Sequence, residues 1–185
     1  MKNHIRNSLC LLLGLLGFIS LPAFAAQDIF LCPGYAAPTW LGESGDPDHP
    51  GCIDVLSWSW GMSQAGGTTP KVSANDVTIT KSMDTSTPDF MYFVAKGQPL
   101  NSLILLAEAV CPLQGCTPYA YFTLTMQDVR ITSVQPGGSR AEDRLTELIS
   151  FQFNKARWCY TAQLAGGELG TPDCSGWDYL QNKAY

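Results

Sequence analysis

Apolar and polar residues alternate with a period of two over several short stretches of this chain, and a single stretch carries the helical period. Val77 and Ile79 alternate with Thr78 and Thr80. Ile149, Phe151, Phe153 and Lys155 share one face against Ser150, Gln152 and Asn154 on the other. Such alternation predicts strands with one face on a core and the other toward water or a partner. Ile53 to Trp60 reads the same way, with Asp54, Leu56, Trp58 and Trp60 on one side and Ile53, Val55, Ser57 and Ser59 on the other. Asp28 to Leu31 reads as a short first strand. Ser102 to Ala107 is a near-continuous apolar run whose shortness and flanking turns favour a buried strand, and Tyr119 to Val134 supplies one long strand or two. Gly66-Gly67-Thr68-Thr69-Pro70 and Gln135-Pro136-Gly137-Gly138-Ser139 have the residues that chain reversals demand.

The helical stretch lies between Thr87 and Gly97, and a helix is predicted over about Pro88 to Lys96. Thr87 is placed to cap it, Pro88 suits the first helical position, and Asp89 opposes the positive end of the dipole. Lys96 and Gly97 close it. A helix this short is marginal alone, so Phe90, Met91, Phe93 and Val94 must hold it against a sheet. The class expected is mainly β with one flanking helix.

The N-terminus reads differently. Lys2, His4 and Arg6 precede an apolar run from Leu9 to Leu21, and Ala23-Phe24-Ala25 supplies a small-x-small cleavage site. This predicts a secretory signal peptide over residues 1–25, followed by a single domain over 26–185. The apolar run stops at Pro22, short of the roughly 18 residues a membrane span requires, so no span is expected after cleavage. The product is expected outside the cytoplasm, in the periplasm or the extracellular medium. Cys10 lacks the small residues before it that a lipid-attachment site would have.

The chain carries 11 basic and 16 acidic residues, and the leader removes Lys2 and Arg6 from the basic side. An acidic balance argues against nucleic acid or an anionic membrane as partner. Cys32, Cys52, Cys111, Cys116, Cys159 and Cys174 remain, an even number in a chain sent to an oxidising compartment, and disulfides are expected. Sequence alone leaves their pairing open; neighbours are preferred, Cys32 with Cys52, Cys111 with Cys116 and Cys159 with Cys174. By loop-closure entropy each is worth roughly 2 to 3 kcal/mol. A zinc site is disfavoured by the absence of a CxxC doublet and by the single histidine of the mature chain.

Catalytic chemistry finds little support. Gly61-Met62-Ser63-Gln64-Ala65 misses the G-x-S-x-G elbow at Ala65, and the one available base, His49, sits in a flexible-looking loop. Glu43, Asp46, Asp48 and His49 gather carboxylates and an imidazole, but their spacing matches no standard calcium loop and Pro47, Pro50, Gly45 and Gly51 read as a solvated turn. Trp58 and Trp60 could form a sugar platform, though aromatic pairs more often serve a core or a subunit contact. The expectation is no enzyme, no cofactor and no metal.

These residues resemble the haemolysin-coregulated protein (Hcp) family, the inner tube of bacterial type VI secretion systems. Gly42-Glu43-Ser44 with His49 and Gly51, running into Ser57, Trp58, Trp60, Gly61 and Ser63, resembles the family's first loop and second strand. Val77 to Lys81, Asp84, Ser86 and Pro88 resemble its approach to the helix. Glu147, Phe151, Phe153, Lys155, Trp158 and Tyr160 fit its late strand, and Trp177, Asp178 and Asn182 its closing segment. The resemblance implies a two-sheet, β-barrel-like sandwich with one flanking helix. It also implies a hexameric ring that stacks into a tube, with spike, sheath and effector proteins as partners. Gly66 to Asn75 falls where the family has an extended loop used in ring-to-ring packing. The signal peptide and the six mature cysteines depart from the usual pattern, because ordinary tube subunits assemble in the cytoplasm. The alternative is an exported binding module on the same fold without a tube role.

Overall fold

The alternating stretches become strands that join edge to edge until the sheet meets itself. The computed structural model describes residues 27–35, 40–67, 71–110, 118–140, 143–164 and 169–185. The expected leader and the Cys111–Cys116 pairing lie outside them. In chain order the elements are β1 (Gln27–Pro33), β2 (Ile53–Ser59), β3 (Met62–Gln64), β4 (Val72–Ala74), β5 (Val77–Ser82), α1 (Ser86–Lys96), β6 (Pro99–Ala109), β7 (Tyr119–Gly137), β8 (Thr146–Gln152), β9 (Lys155–Tyr160), β10 (Asp173–Asp178) and β11 (Lys183–Ala184).

The main sheet runs β11-β10-β9-β7-β6-β1-β2-β5-β8, and β8 pairs back onto β7. Strands β7, β6, β1, β2, β5 and β8 thereby close a six-stranded barrel. Strands β9, β10 and β11 extend the sheet beyond β7 as a flange. The 19-residue strand β7 makes this possible. Its first half lies between β6 and β9, from Phe122 opposite Tyr160 to Gln127 opposite Lys155. Its second half, from Arg130, takes β8. A separate ribbon, β3 with β4, projects between β2 and β5 and is closed at its base by Asn75 N–H donating to Gly61 O.

Inward residues of all six barrel strands build the core. Leu31, Ile53, Val77, Ile79, Leu103, Leu105, Leu124, Met126, Ile149 and Phe151 are essentially inaccessible. The helix adds Phe90, whose ring meets Trp40 at 5.0 Å and Phe151 at 6.2 Å, both edge-on. Burying an aromatic of this size stabilises by about 3 kcal/mol, enough to hold a short helix in place.

The structure corrects four local expectations. In β2 the strict alternation breaks, because a bulge between Val55 and Ser57 shifts the register against β5. Ile53 and Val55 face inward before the bulge; Trp58 and Trp60 pack against the core after it, so Leu56 and the tryptophans lie on opposite faces. One inserted residue inverts the parity of everything that follows.

The reversal expected at Gln135 to Ser139 begins later, since Gln135, Pro136 and Gly137 still pair with Leu148, Glu147 and Thr146. The stretch Ile149 to Lys155 is two strands, broken at Phe153 and Asn154. There the backbone leaves β8 for β9, and Asn154 N–H donates to Gln127 O at 3.1 Å. Asp128, at φ 55°, marks the matching irregularity on β7. Ala156 rather than Lys155 is the next buried residue.

The helix begins at Ser86, before Thr87. The N-cap position is Thr85, whose side chain makes no capping bond, and Asp84 just ahead of it ties the first turn: its Oδ1 accepts from Ser86 N–H at 2.9 Å, and Thr87 Oγ1 accepts from Asp84 N–H at 3.2 Å. That reciprocal arrangement fixes the entry to the helix, and the Thr87 hydroxyl turns inward to Glu147. At the other end Gly97 adopts φ 64°, with Gln98 N–H donating to Phe93 O and Gly97 N–H to Val94 O. This is a Schellman closure, which glycine satisfies without strain.

Candidate functional site

A buried ionic network joins β5, β8 and the start of α1. Lys81 continues the inward line of Val77 and Ile79, and its side chain is fully buried. Its Nζ donates to Asp84 Oδ1 at 2.7 Å and lies 2.8 Å from Glu147 Oε1, while Thr87 Oγ1 donates to the same Glu147 oxygen at 2.7 Å. Ser82 O accepts a further bond from Nζ at 2.8 Å. All three ammonium protons thus have acceptors, which a buried cation requires. Sequence reasoning missed Lys81; its place at the inward parity of an alternating strand was the available signal.

The second constellation is aromatic and joins barrel to flange. Trp58 stacks on Phe122 at 5.4 Å, and Trp60 packs against Phe153 at 6.0 Å and Trp158 at 5.7 Å. Phe153 in turn meets Tyr179 edge-on at 5.8 Å. Both tryptophans are half-buried and turned to the core, so they serve packing and form no open sugar platform. Lys155 lies opposite Asp178 in register, their charged groups 3.6 Å apart. The Gln181 backbone N–H, donating to Asp178 Oδ1, holds that carboxyl below its ordinary range, with help from Lys155. Burial pushes the Tyr179 hydroxyl up to about 12. Cys159 and Cys174, directly opposite each other on β9 and β10, are joined as a disulfide that ties the flange together.

The acidic loop is ordered by its own hydrogen bonds. Asp48 N–H donates to Asp46 Oδ1 at 2.8 Å and Asp46 N–H to Ser44 Oγ at 3.3 Å, as in a solvated Asx turn. His49 is held firmly, contrary to a flexible placement. Its ring stacks on Phe30 at 4.2 Å and its Nε2 lies 3.1 Å from Glu108 Oε1. Cys32 is bonded to Cys52 beside it. Gly42 runs so close to this segment that a Cβ there would meet Cys52 O at 2.2 Å.

Ser63 sits in the exposed ribbon opposite Ser73, and His49, the one histidine among the described residues, is engaged by Glu108. Several large apolar side chains are turned outward. Leu56, at the bulge of β2, and Leu148 on β8 are exposed. Tyr160 is exposed at the end of β9, Met62 on the ribbon, and Pro88, Met91 and Tyr92 on α1. The Tyr121 hydroxyl is pushed up by burial and by Tyr119 and Tyr160 nearby.

The arrangement is a closed barrel with a ribbon, a flange and single apolar side chains exposed on several faces. The comparisons give its family. The family model described as "Type VI secretion system effector, Hcp" matches residues 28–160. Protein hcp1 of Pseudomonas aeruginosa is 38% identical over 149 residues, spanning 76% of this chain and 90% of that protein. The crystal structure of Hcp1 from Salmonella typhimurium is similar with a TM-score of 0.71 at 27% identity, covering 86% of this chain and 99% of that one. A type six secretion system protein of known structure gives a TM-score of 0.75 at 25% identity, covering 86% and 100%. The chain belongs to the Hcp family, the tube-forming proteins of type VI secretion. No helix among the described residues is long and apolar enough to cross a membrane.

Proposed function

We propose that this chain assembles into a hexameric ring, and that rings stack into a tube able to hold effector proteins and to engage a spike and a sheath. The observation that carries the reading is likeness to a relative over 90% of that relative's length. All of the barrel but Gln27, the β3–β4 ribbon and the family-motif residues Ser57, Trp58, Trp60, Gly61, Ser63, Pro88, Glu147, Phe153, Lys155, Trp158 and Tyr160 fall within the matched span. The motif residues divide by role. Glu147, Phe153, Trp158, Trp58 and Trp60 build the fold, whereas Ser57, Ser63, Pro88 and Tyr160 are exposed and available to neighbouring copies. Ring-to-ring packing through Gly66 to Asn75 belongs to the same proposal, and the exposed strand Met62–Gln64 of the separate ribbon supports it.

Export through a signal peptide over residues 1–25 belongs to the same proposal, and the disulfides Cys32–Cys52 and Cys159–Cys174 favour it, since such bonds persist in oxidising compartments. They also favour a second reading, in which the exported copy keeps the fold as a binding module and forms no tube. Electron microscopy of the oxidised chain from residue 26 separates the two: rings and stacked rings support the tube, and isolated small particles support the module. A charge placed on the outer face, Leu148→Asp, breaks rings under the first reading and changes nothing under the second. Lys155→Glu is a poorer probe, because it also breaks the pair with Asp178.

A further inference from the structure

We propose that Cys32, His49 and Cys52 form a zinc site in the reduced chain, with Glu108 as the residue that orients His49. Their donor atoms lie within 4.8 Å of one another, although they come from the end of β1, the acidic loop and the residue before β2. Spacing along the chain hides the set, because Cys32 stands 20 residues from Cys52. His49 and Cys52, however, are three apart across Pro50-Gly51, with Cys52 N–H donating to His49 O at 3.2 Å and Gly51 at φ 76°. Such a turn sets the two side chains of a close ligand doublet toward one ion.

The surroundings suit a coordinated imidazole. A metal-binding histidine usually donates its second ring N–H to a carboxylate, which fixes both tautomer and orientation. Glu108 Oε1 is 3.1 Å from Nε2, leaving Nδ1 for the ion, and Phe30 stacked at 4.2 Å limits rotation of the ring. Two thiolates and one imidazole are a ligand set that selects zinc among the common divalent ions, with water in the fourth position. Cys52 is almost wholly buried, so the ion would sit largely screened from bulk solvent.

In the structure the two sulfurs are joined. A thiol reductant converts that disulfide to two thiols and leaves as its own disulfide. Zn²⁺ then displaces one proton from each thiol and takes His49 in its neutral form, so binding releases two protons. Disulfide and ion are alternative crosslinks at one place. That place is the seam where β1 meets β2 through only two register pairs, Phe30 with Asp54 and Leu31 with Ile53.

The test uses the full chain, reduced, with Zn²⁺ or Co²⁺ alone as probe. Serine at Cys10, Cys111, Cys116, Cys159 and Cys174 isolates the site. One Co²⁺ per chain should bind with a thiolate-to-cobalt charge-transfer band and the intense visible bands of a tetrahedral ion. His49→Ala should weaken zinc at least about 10-fold, and Glu108→Gln by about 10-fold, with the tetrahedral spectrum kept in the latter. Unchanged affinity in His49→Ala, or an octahedral cobalt spectrum, would overturn the proposal. Should the multiple variant fail to fold, maleimide labelling of the reduced native chain with peptide mapping decides the matter. Zinc should protect Cys32 and Cys52, and His49→Ala should abolish that protection. Labelling of both cysteines that zinc does not alter contradicts the site.

Discussion

Lys81 and Glu147 stand opposite each other in register on β5 and β8, fully buried, with Nζ and Oε1 2.8 Å apart. The pair links two neighbouring barrel strands, and through Asp84 and Thr87 it also fixes the start of α1. A buried ion pair gives modest net stability against an apolar isostere, but losing one partner strands the other charge. Lys81→Met is therefore expected to cost about 3 to 5 kcal/mol. Adding Glu147→Leu should recover a large part of the loss, although Asp84 still lacks its cation. Urea unfolding of the single and double variants checks this; additive losses would refute the coupling.

The disulfides predict a staged response to reduction. They close loops with sequence separations of 20 and 15 residues. Each is expected to contribute about 3 kcal/mol by chain entropy. Cys159→Ser with Cys174→Ser should lower the denaturation midpoint while the barrel core stays protected in hydrogen exchange. Cys32→Ser with Cys52→Ser should instead speed exchange in β1 and β2, whose mutual pairing is short.

At the helix end, Gly97→Ala should destabilise by about 1 kcal/mol, because an L side chain at φ 64° is strained. Thermal unfolding measures it. The neighbouring Arg130, whose guanidinium donates to Gly97 O at 2.7 Å, adds a second hold on this closure.

Tyr179 and Asp178 give opposite dependences on pH. The folded Tyr179 has its pKa raised from 10.0 to about 12, so its contribution is complete below pH 10 and is lost as pH rises toward 12. Asp178 is shifted downward, so its contribution is present above the ordinary carboxylate range and is lost as pH falls through its folded value. Tyr179→Phe should leave stability at neutral pH unchanged or slightly higher, since the buried hydroxyl has no hydrogen-bond partner among the described residues. The same variant should blunt the alkaline loss. Denaturant midpoints measured across pH test both signs.

Much of the barrel was legible because alternation survives in β5 and β8, where no residue is inserted. The helix was legible for the same reason: Phe90 and Phe93 recur at helical spacing and Gly97 ends it. What escaped was set by tertiary partners. The bulge in β2 depends on pairing with β5, and the continuation of β7 through Pro136 and Gly137 depends on β8. Lys81 was not singled out, because the Glu147 carboxylate that neutralises it together with Asp84 comes from a distant strand. His49 read as a loose loop residue because neither Phe30 nor Glu108 is near it in sequence. The exposed apolar positions were the least legible, since an outward Leu56 or Leu148 differs from a core leucine only in parity.

The central claim is association into rings, and native mass spectrometry of the oxidised chain from residue 26 tests it most directly. The expected result is a dominant species with the mass of a hexamer at micromolar concentration, reduced to monomer by Leu148→Asp with the fold retained. A persistent monomer of the unaltered sequence, folded and fully oxidised, would contradict it.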